Sequence, residues 1–221
     1  MLSQTVGQVL PYALGVALSP VPIIAVVVML GTPRAQANGV AFAVGWVAGL
    51  SVVSLVVFLL ARGADQAGGT EADSVNWIKL ALGVLLVFLA ARRWRGRPAP
   101  GEEAPLPEWM SSVDHFTAGR SLLLGLALSA ANPKNLVLTA GAAAVVAQSG
   151  LSAAGSFGAE AVFVVLGSCT VVGLVLAYLV AGGRAQAPLE SVKTFMGAHN
   201  DVIMMVILLL LGAKLIGDGL A

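Results

Sequence analysis

The sequence predicts an all-α integral membrane protein of six transmembrane helices, folded as two inverted three-helix repeats. Three observations carry that expectation. The 221 residues are 58% hydrophobic and only 10% charged, with a mean hydropathy of +0.92, whereas a soluble chain is roughly a quarter charged. The apolar residues fall into runs long enough for a helix to cross a hydrocarbon core, for which about 20 residues suffice. The two halves of the chain also match each other in part.

Residues 1–33 carry no charge and predict a first helix near Val6–Leu30. Residues 35–61 are again uncharged and predict a second near Gly39–Ala61. A third is expected over about Ser74–Arg92, with Lys79 close to its start, and a fourth over Ser121–Ala147, containing the single charge Lys134. Small polar residues make Gln148–Gly155 a short turn. A fifth helix then spans Ser156–Gly182 and a sixth Asn200–Ile216. The first positive residue is Arg34, so the opening run reads as a retained span rather than a cleavable leader.

The longest polar segment, Arg95–Gly119, divides a first repeat (1–94) from a second (120–221) and reads as a cytoplasmic linker. Its approach, Arg92-Arg93-Trp94-Arg95-Gly96-Arg97, sets the expected topology, because positive residues collect on cytoplasmic loops. That orientation also places Arg34, Arg120, Arg184 and Lys193 inside, against Arg62 and Lys214 outside. The chain is then expected in the cell (inner) membrane with both termini outside the cytoplasm.

A shift of 110 positions lays Gly15-Val16-Ala17-Leu18-Ser19 on Gly125-Leu126-Ala127-Leu128-Ser129, with prolines following in both copies. A second match joins Ser51–Val56 to Thr170–Val175. Three helices per repeat is an odd number, so the second copy enters the membrane upside down. Inverted repeats are common in secondary transporters, which bind substrate near the midplane where interrupted helices meet. An old duplication without a transport role is the alternative.

Chemistry is expected where the helices break. Ser19-Pro20-Val21-Pro22 interrupts the first helix and Asn132-Pro133-Lys134-Asn135 the fourth, since proline removes a donor and clashes one turn back. A lysine at the bilayer centre costs roughly 2.5–3.5 kcal/mol, so Lys134 should face the interior and find acceptors. Ser19, Ser129, Asn132 and Asn135 are the expected neighbours, and an anionic substrate is a candidate partner for the charge. A purely structural lysine held by carbonyls is the alternative. Glu160 reads either as a gate near the outer surface or as a solvated residue. Asn200-Asp201 reads as the N-cap of the sixth helix, and Gly45, Gly49, Gly167 and Gly173 as close-packing positions.

The remaining residues limit the function classes. Cys169 is the only cysteine, which excludes an internal disulfide and a thiolate metal site, and it reads as a small packing residue. His115 and His199 lie far apart in polar segments. No metal ligand set, cofactor motif, phosphate-cradling loop or Ser–His–acid set is evident, so neither cofactor, metal nor enzymatic activity is expected. A net charge of +1 without a basic patch excludes a nucleic-acid partner. Small-residue surfaces would permit a homodimer without requiring one. The Arg-, Ala- and Gly-rich usage fits a high-GC bacterium.

Pro107-Glu108-Trp109-Met110-Ser111-Ser112-Val113-Asp114, followed by Gly125–Leu136 with its Asn132-Pro133-Lys134, resembles the GAP family. Its members are the peptidoglycolipid- or sulfolipid-addressing proteins of mycobacteria and related actinobacteria, within the wider lysine-exporter (LysE) superfamily. Leu18–Ile23 and His199–Met204 extend the resemblance over nearly the whole chain. Asn-Pro-Lys marks the superfamily, and Pro-x-Trp-Met with the closing segment marks the addressing branch. The resemblance implies a role in moving a glycolipid or other envelope component to the cell surface. Pro20, Pro22, Asn132, Pro133 and Lys134 are then the positions to test. Export of an amino acid or other small solute, and a non-transporting adaptor for lipid-synthesis or export machinery, are the competing implications. A lone lysine suits an anionic or neutral polar cargo better than a cation.

Overall fold

A computed structural model describes residues 1–66, 73–96 and 116–220, with side chains described outside 64–79. Pro107–Asp114 and His115, and with them most of the linker, lie outside the described residues. Eight α-helices follow in order among those described: α1 (Leu2–Ala17), α2 (Pro20–Leu30), α3 (Ala35–Gln66), α4 (Asp73–Arg95), α5 (Ala118–Ala130), α6 (Pro133–Ala147), α7 (Ala153–Ala181) and α8 (Gln186–Leu220). A 3-10 turn, Gly182–Ala185, joins the last two.

Two of the expected spans are broken where the prolines stand. The axes of α1 and α2 bend by 51°, and those of α5 and α6 by 62°. Among the described residues two helical stretches are long and apolar enough to cross a membrane, or up to four when each bent pair counts as one span. One of these stretches, Ala153–Leu220, combines α7 and α8 and runs for 68 residues.

The sixth expected helix starts earlier than the sequence suggested. α8 begins at Gln186, so Asn200 and Asp201 lie inside a continuous helix and cap nothing. The segment Gln186–Ala198 is polar, yet only Pro188, tolerated in the first turn, and Gly197 oppose helix there.

The molecule is apolar outside and partly polar within, as expected of a protein solvated by lipid. Val52, Leu60, Phe88, Val165, Val180 and Leu210 are exposed, while Ser19, Ser129, Lys134, Asn135 and Thr139 are buried. Lipid tails gain nothing by expelling apolar side chains, so helix association rests on close packing by small residues. α3 lies along α5 and α4 along α8. A side chain on Gly45 would collide with the Leu122 carbonyl, and one on Gly125 with the Phe42 carbonyl. At the other seam, a Cβ on Gly83 would stand 2.9 Å from the Gly212 carbonyl, and one on Gly212 2.9 Å from the Gly83 carbonyl. Gly49 packs against Ser129 and Gly167 makes ordinary contact with Val16. Gly173 does not pack, having nothing within 4 Å, and Cys169 is exposed on the same helix.

Candidate functional site at the two helix breaks

Both breaks have one local cause. Pro20 has no N–H, which leaves the Val16 carbonyl without its helical donor, and Pro133 does the same to Ser129. The residue before a proline is driven out of the helical region, and Ser19 (φ −77°, ψ 109°) and Asn132 (φ −70°, ψ 118°) are correspondingly extended. Each proline then occupies the first position of a new helix, where its missing donor costs nothing. Ser19 and Asn132 thus hold the same local position, each an extended N-cap directly before its proline.

Side chains reach the Val16, Gly15 and Leu128 carbonyls freed at the breaks. Val16 O accepts from Ser19 N (3.2 Å) and lies 2.7 Å from Ser19 Oγ. The diverted Ser19 N–H leaves Gly15 O free, and Lys134 Nζ donates to it at 2.6 Å. The same ammonium donates to Ser19 Oγ at 2.6 Å, and Ser19 Oγ in turn lies 3.0 Å from Asn135 Oδ1. Asn135 Nδ2 donates to Leu128 O at 2.9 Å, replacing the donor that Asn132 would supply in an unbroken helix. Asn132 Oδ1 accepts from Lys134 N at 3.1 Å and caps α6. One lysine thus ties the first break to the second.

An ammonium has three donors, and two of them are used here. Lys134 is 6% exposed and makes no ion pair among the described residues. It lies against a cavity of about 530 Å³, also lined by Ser19–Pro22, Asn132 and Pro133. The far wall comes from Arg92 and Arg93 of α4 and from Asn200, Asp201, Met204 and Leu208 of α8. Three cations face one carboxylate, and Arg93 Nη1 lies 3.5 Å from Asp201 Oδ1. With Arg93 half exposed, that pair is worth at most about 1 kcal/mol. The first turns of α2 and α6 also end at the cavity, adding the partial positive charge of two helix N-termini. The charged side chains lining the cavity are predominantly positive, and its volume falls within the 300–1,000 Å³ usual for small-molecule sites.

Not every expected residue joins this site. Ser19, Lys134 and Asn135 form one hydrogen-bonded cluster, while Pro20, Pro22, Asn132 and Pro133 line the cavity. Ser129 stands apart: its hydroxyl donates to Leu126 O at 3.0 Å and fills the space above Gly49 of α3. Glu160 lies two turns into α7, bonded to Ser54 of α3. Arg92 and Arg93 carried only a topological signal in the sequence, and Asp201 was assigned to a helix cap. Thr170 was used only to align the repeats, yet its Oγ1 donates to Ala17 O at 2.6 Å and steadies the first break from α7.

A family model described as "Sap, sulfolipid-1-addressing protein" matches residues 9–221. The chain belongs to the sulfolipid-1-addressing protein family. The match bears out the resemblance to the addressing proteins and includes both helix breaks, the cavity-lining turns of α4 and α8, and the linker. No curated protein and no solved structure matches the chain. Membership of the sulfolipid-1-addressing family suggests a role in lipid addressing or export.

Proposed function

We propose that the protein is a secondary exporter of the LysE superfamily type, which moves an anionic glycolipid or related envelope component toward the cell surface. Lys134 carries the reading: a buried ammonium at the meeting point of two proline-broken helices, beside a cavity lined by two arginines. Its headgroup would displace water from Lys134, Arg92 and the helix N-termini, leaving the acyl chains to pass between helices into lipid.

Six spans fit the helices if each bent pair crosses once, together with α3, α4, α7 and α8. At 1.5 Å per residue, the 68 residues of α7 and α8 would reach about 100 Å, so they must cross more than once. Pairing α1–α2 with α5–α6, α3 with α7 and α4 with α8 makes the packing of α3 on α5 equivalent to that of α7 on α1. That correspondence supports the inverted repeat. The symmetry is incomplete: α2 packs on α8, while α6 makes no comparable contact with α4 among the described residues. The unclosed side is where the cavity lies, open toward the Arg92–Arg93 end of α4, which the charge pattern assigns to the cytoplasm of a plasma-membrane protein. Closing α6 onto α4 while α2 parts from α8 would carry the site to the other face. No catalytic role is assigned to any residue, and the bilayer and the lipid are the only partners the reading requires.

In a strain lacking the gene, the expected result is an anionic glycolipid retained in the cell and depleted from the surface-extractable fraction, restored by the wild-type chain. An unchanged lipid distribution with an altered small-solute pool would instead favour a small-solute exporter. A requirement for the linker but not for Lys134 would favour an adaptor.

A further inference from the structure

Glu160 is the one charged residue of α7, and the headgroup cavity does not use it. Ser54 of α3, itself buried, donates to Glu160 Oε2, while Oε1 is buried with no hydrogen-bond partner among the described residues. An unpaired carboxylate in an apolar setting is far costlier than its neutral acid. Its surroundings offer little to neutralise it. The elements packed against α7 are α1, α2, α3, α6 and the 3-10 turn. Neither α1 nor α2 carries a charged side chain, and the amino terminus at Met1 is 79% exposed. α6 has only Lys134, committed to Gly15 and Ser19. The turn has only Arg184, at the far end of α7. α3 has Arg62, and Asp65, whose side chain lies outside the described residues. Arg62 sits over the Phe58 ring at 5.9 Å, and Phe58 packs on Phe157 with centroids 6.4 Å apart. Ser54, Phe58 and Arg62 follow one face of α3 at four-residue spacing, and Phe157 precedes Glu160 by three on α7. The carboxyl therefore stands one turn inside an aromatic pair, with a cation beyond it.

We propose that Glu160 and Ser54 form a proton-binding site, separate from the headgroup cavity and loaded past Phe58 and Phe157 from the side on which Arg62 lies. The step is a proton transfer alone: water delivers a proton to Oε1, the carboxylate becomes the acid, and release reverses this. Resting on the export reading, protons passing this site down their gradient drive α7 against α3 while cargo moves the other way.

Infrared pH titration of the protein in liposomes tests the site without reference to cargo, with Glu160→Gln keeping the shape but unable to titrate. The expected result is a carboxylic-acid carbonyl band in wild type that disappears as pH rises. The Glu160 component, isolated as the difference between wild type and Glu160→Gln, should be displaced in its midpoint in Ser54→Ala. Identical titrations of wild type and Glu160→Gln would overturn the site. In cells, Glu160→Gln is expected to lower surface lipid at least tenfold with normal membrane levels of protein, and unchanged export would overturn the coupling. A wild type that moves no lipid would remove the export reading, and the infrared result would still decide the proton site.

Discussion

Replacing Lys134 by methionine is expected to reduce surface lipid at least about tenfold while the protein stays folded and in the membrane. Methionine keeps an unbranched apolar stem of similar length but loses the bonds to Gly15 O and Ser19 Oγ. Hydrogen bonds to a charged group are each worth about 1.5–3 kcal/mol, so losing a headgroup contact of that kind corresponds to roughly a 10- to 150-fold loss in affinity. Folding should survive, because removing the charge also removes an insertion cost of roughly 2.5–3.5 kcal/mol. Lys134→Arg is not expected to restore export, since a rigid fork replaces a compact ammonium in a site where the lysine is 6% exposed. Lipid extraction beside quantified protein in the membrane fraction checks both variants. Full export by Lys134→Met would reduce the lysine to a structural tie between the breaks.

Alanine at Gly45 or Gly125 is expected to be the most destabilising single methyl among the described glycines. Each new Cβ would meet a backbone carbonyl of the facing helix, Leu122 or Phe42, and backbone cannot rotate away as a side-chain tip can. α3 and α5 would have to part by about 1.1–1.6 Å to restore an ordinary carbon–oxygen contact of about 3.3–3.6 Å. Overpacking of this kind costs about 1–3 kcal/mol or more. At about 2–4 °C per kcal/mol for a chain of this size, Tm in detergent should fall by about 2–12 °C. Gly173→Ala, with nothing within 4 Å, is the control and should leave Tm unchanged. Equal melting of all three proteins would contradict the close α3–α5 seam.

The contrast between those glycines marks what was legible in the sequence. Uncharged runs and mid-span prolines suffice to find the helices and their breaks, because lipid and proline act locally. Lys134 stood out for the same reason: a single charge within an apolar run has few tolerable destinations. Which face a glycine turns to its neighbour depends on tertiary packing, so Gly173 could not be told from Gly45. Ser129 was grouped with Lys134 because it precedes that lysine by five residues in the same broken span, whereas its side chain turns to Leu126 and Gly49. Arg92, Arg93 and Asp201 escaped notice as site residues because the cavity gathers them from helix ends distant in sequence. The start of α8 was hidden by a polar but helix-competent segment, so Asp201 was given a cap's role instead of its place beside Arg93.

An anionic headgroup is expected to sit where the two broken helices meet, and photo-crosslinking would show whether it does. The purified protein would be reconstituted in liposomes doped with a sulfated glycolipid carrying a photoreactive headgroup, and labelled peptides mapped by mass spectrometry. The expected labels fall on Ser19–Pro22, Asn132–Lys134 and the Asn200–Leu208 segment of α8, compete with unlabelled sulfated lipid, and vanish in Lys134→Met. Labels confined to the lipid-facing surface of α7, around Val165, Leu176 and Val180, and indifferent to competitor would contradict it.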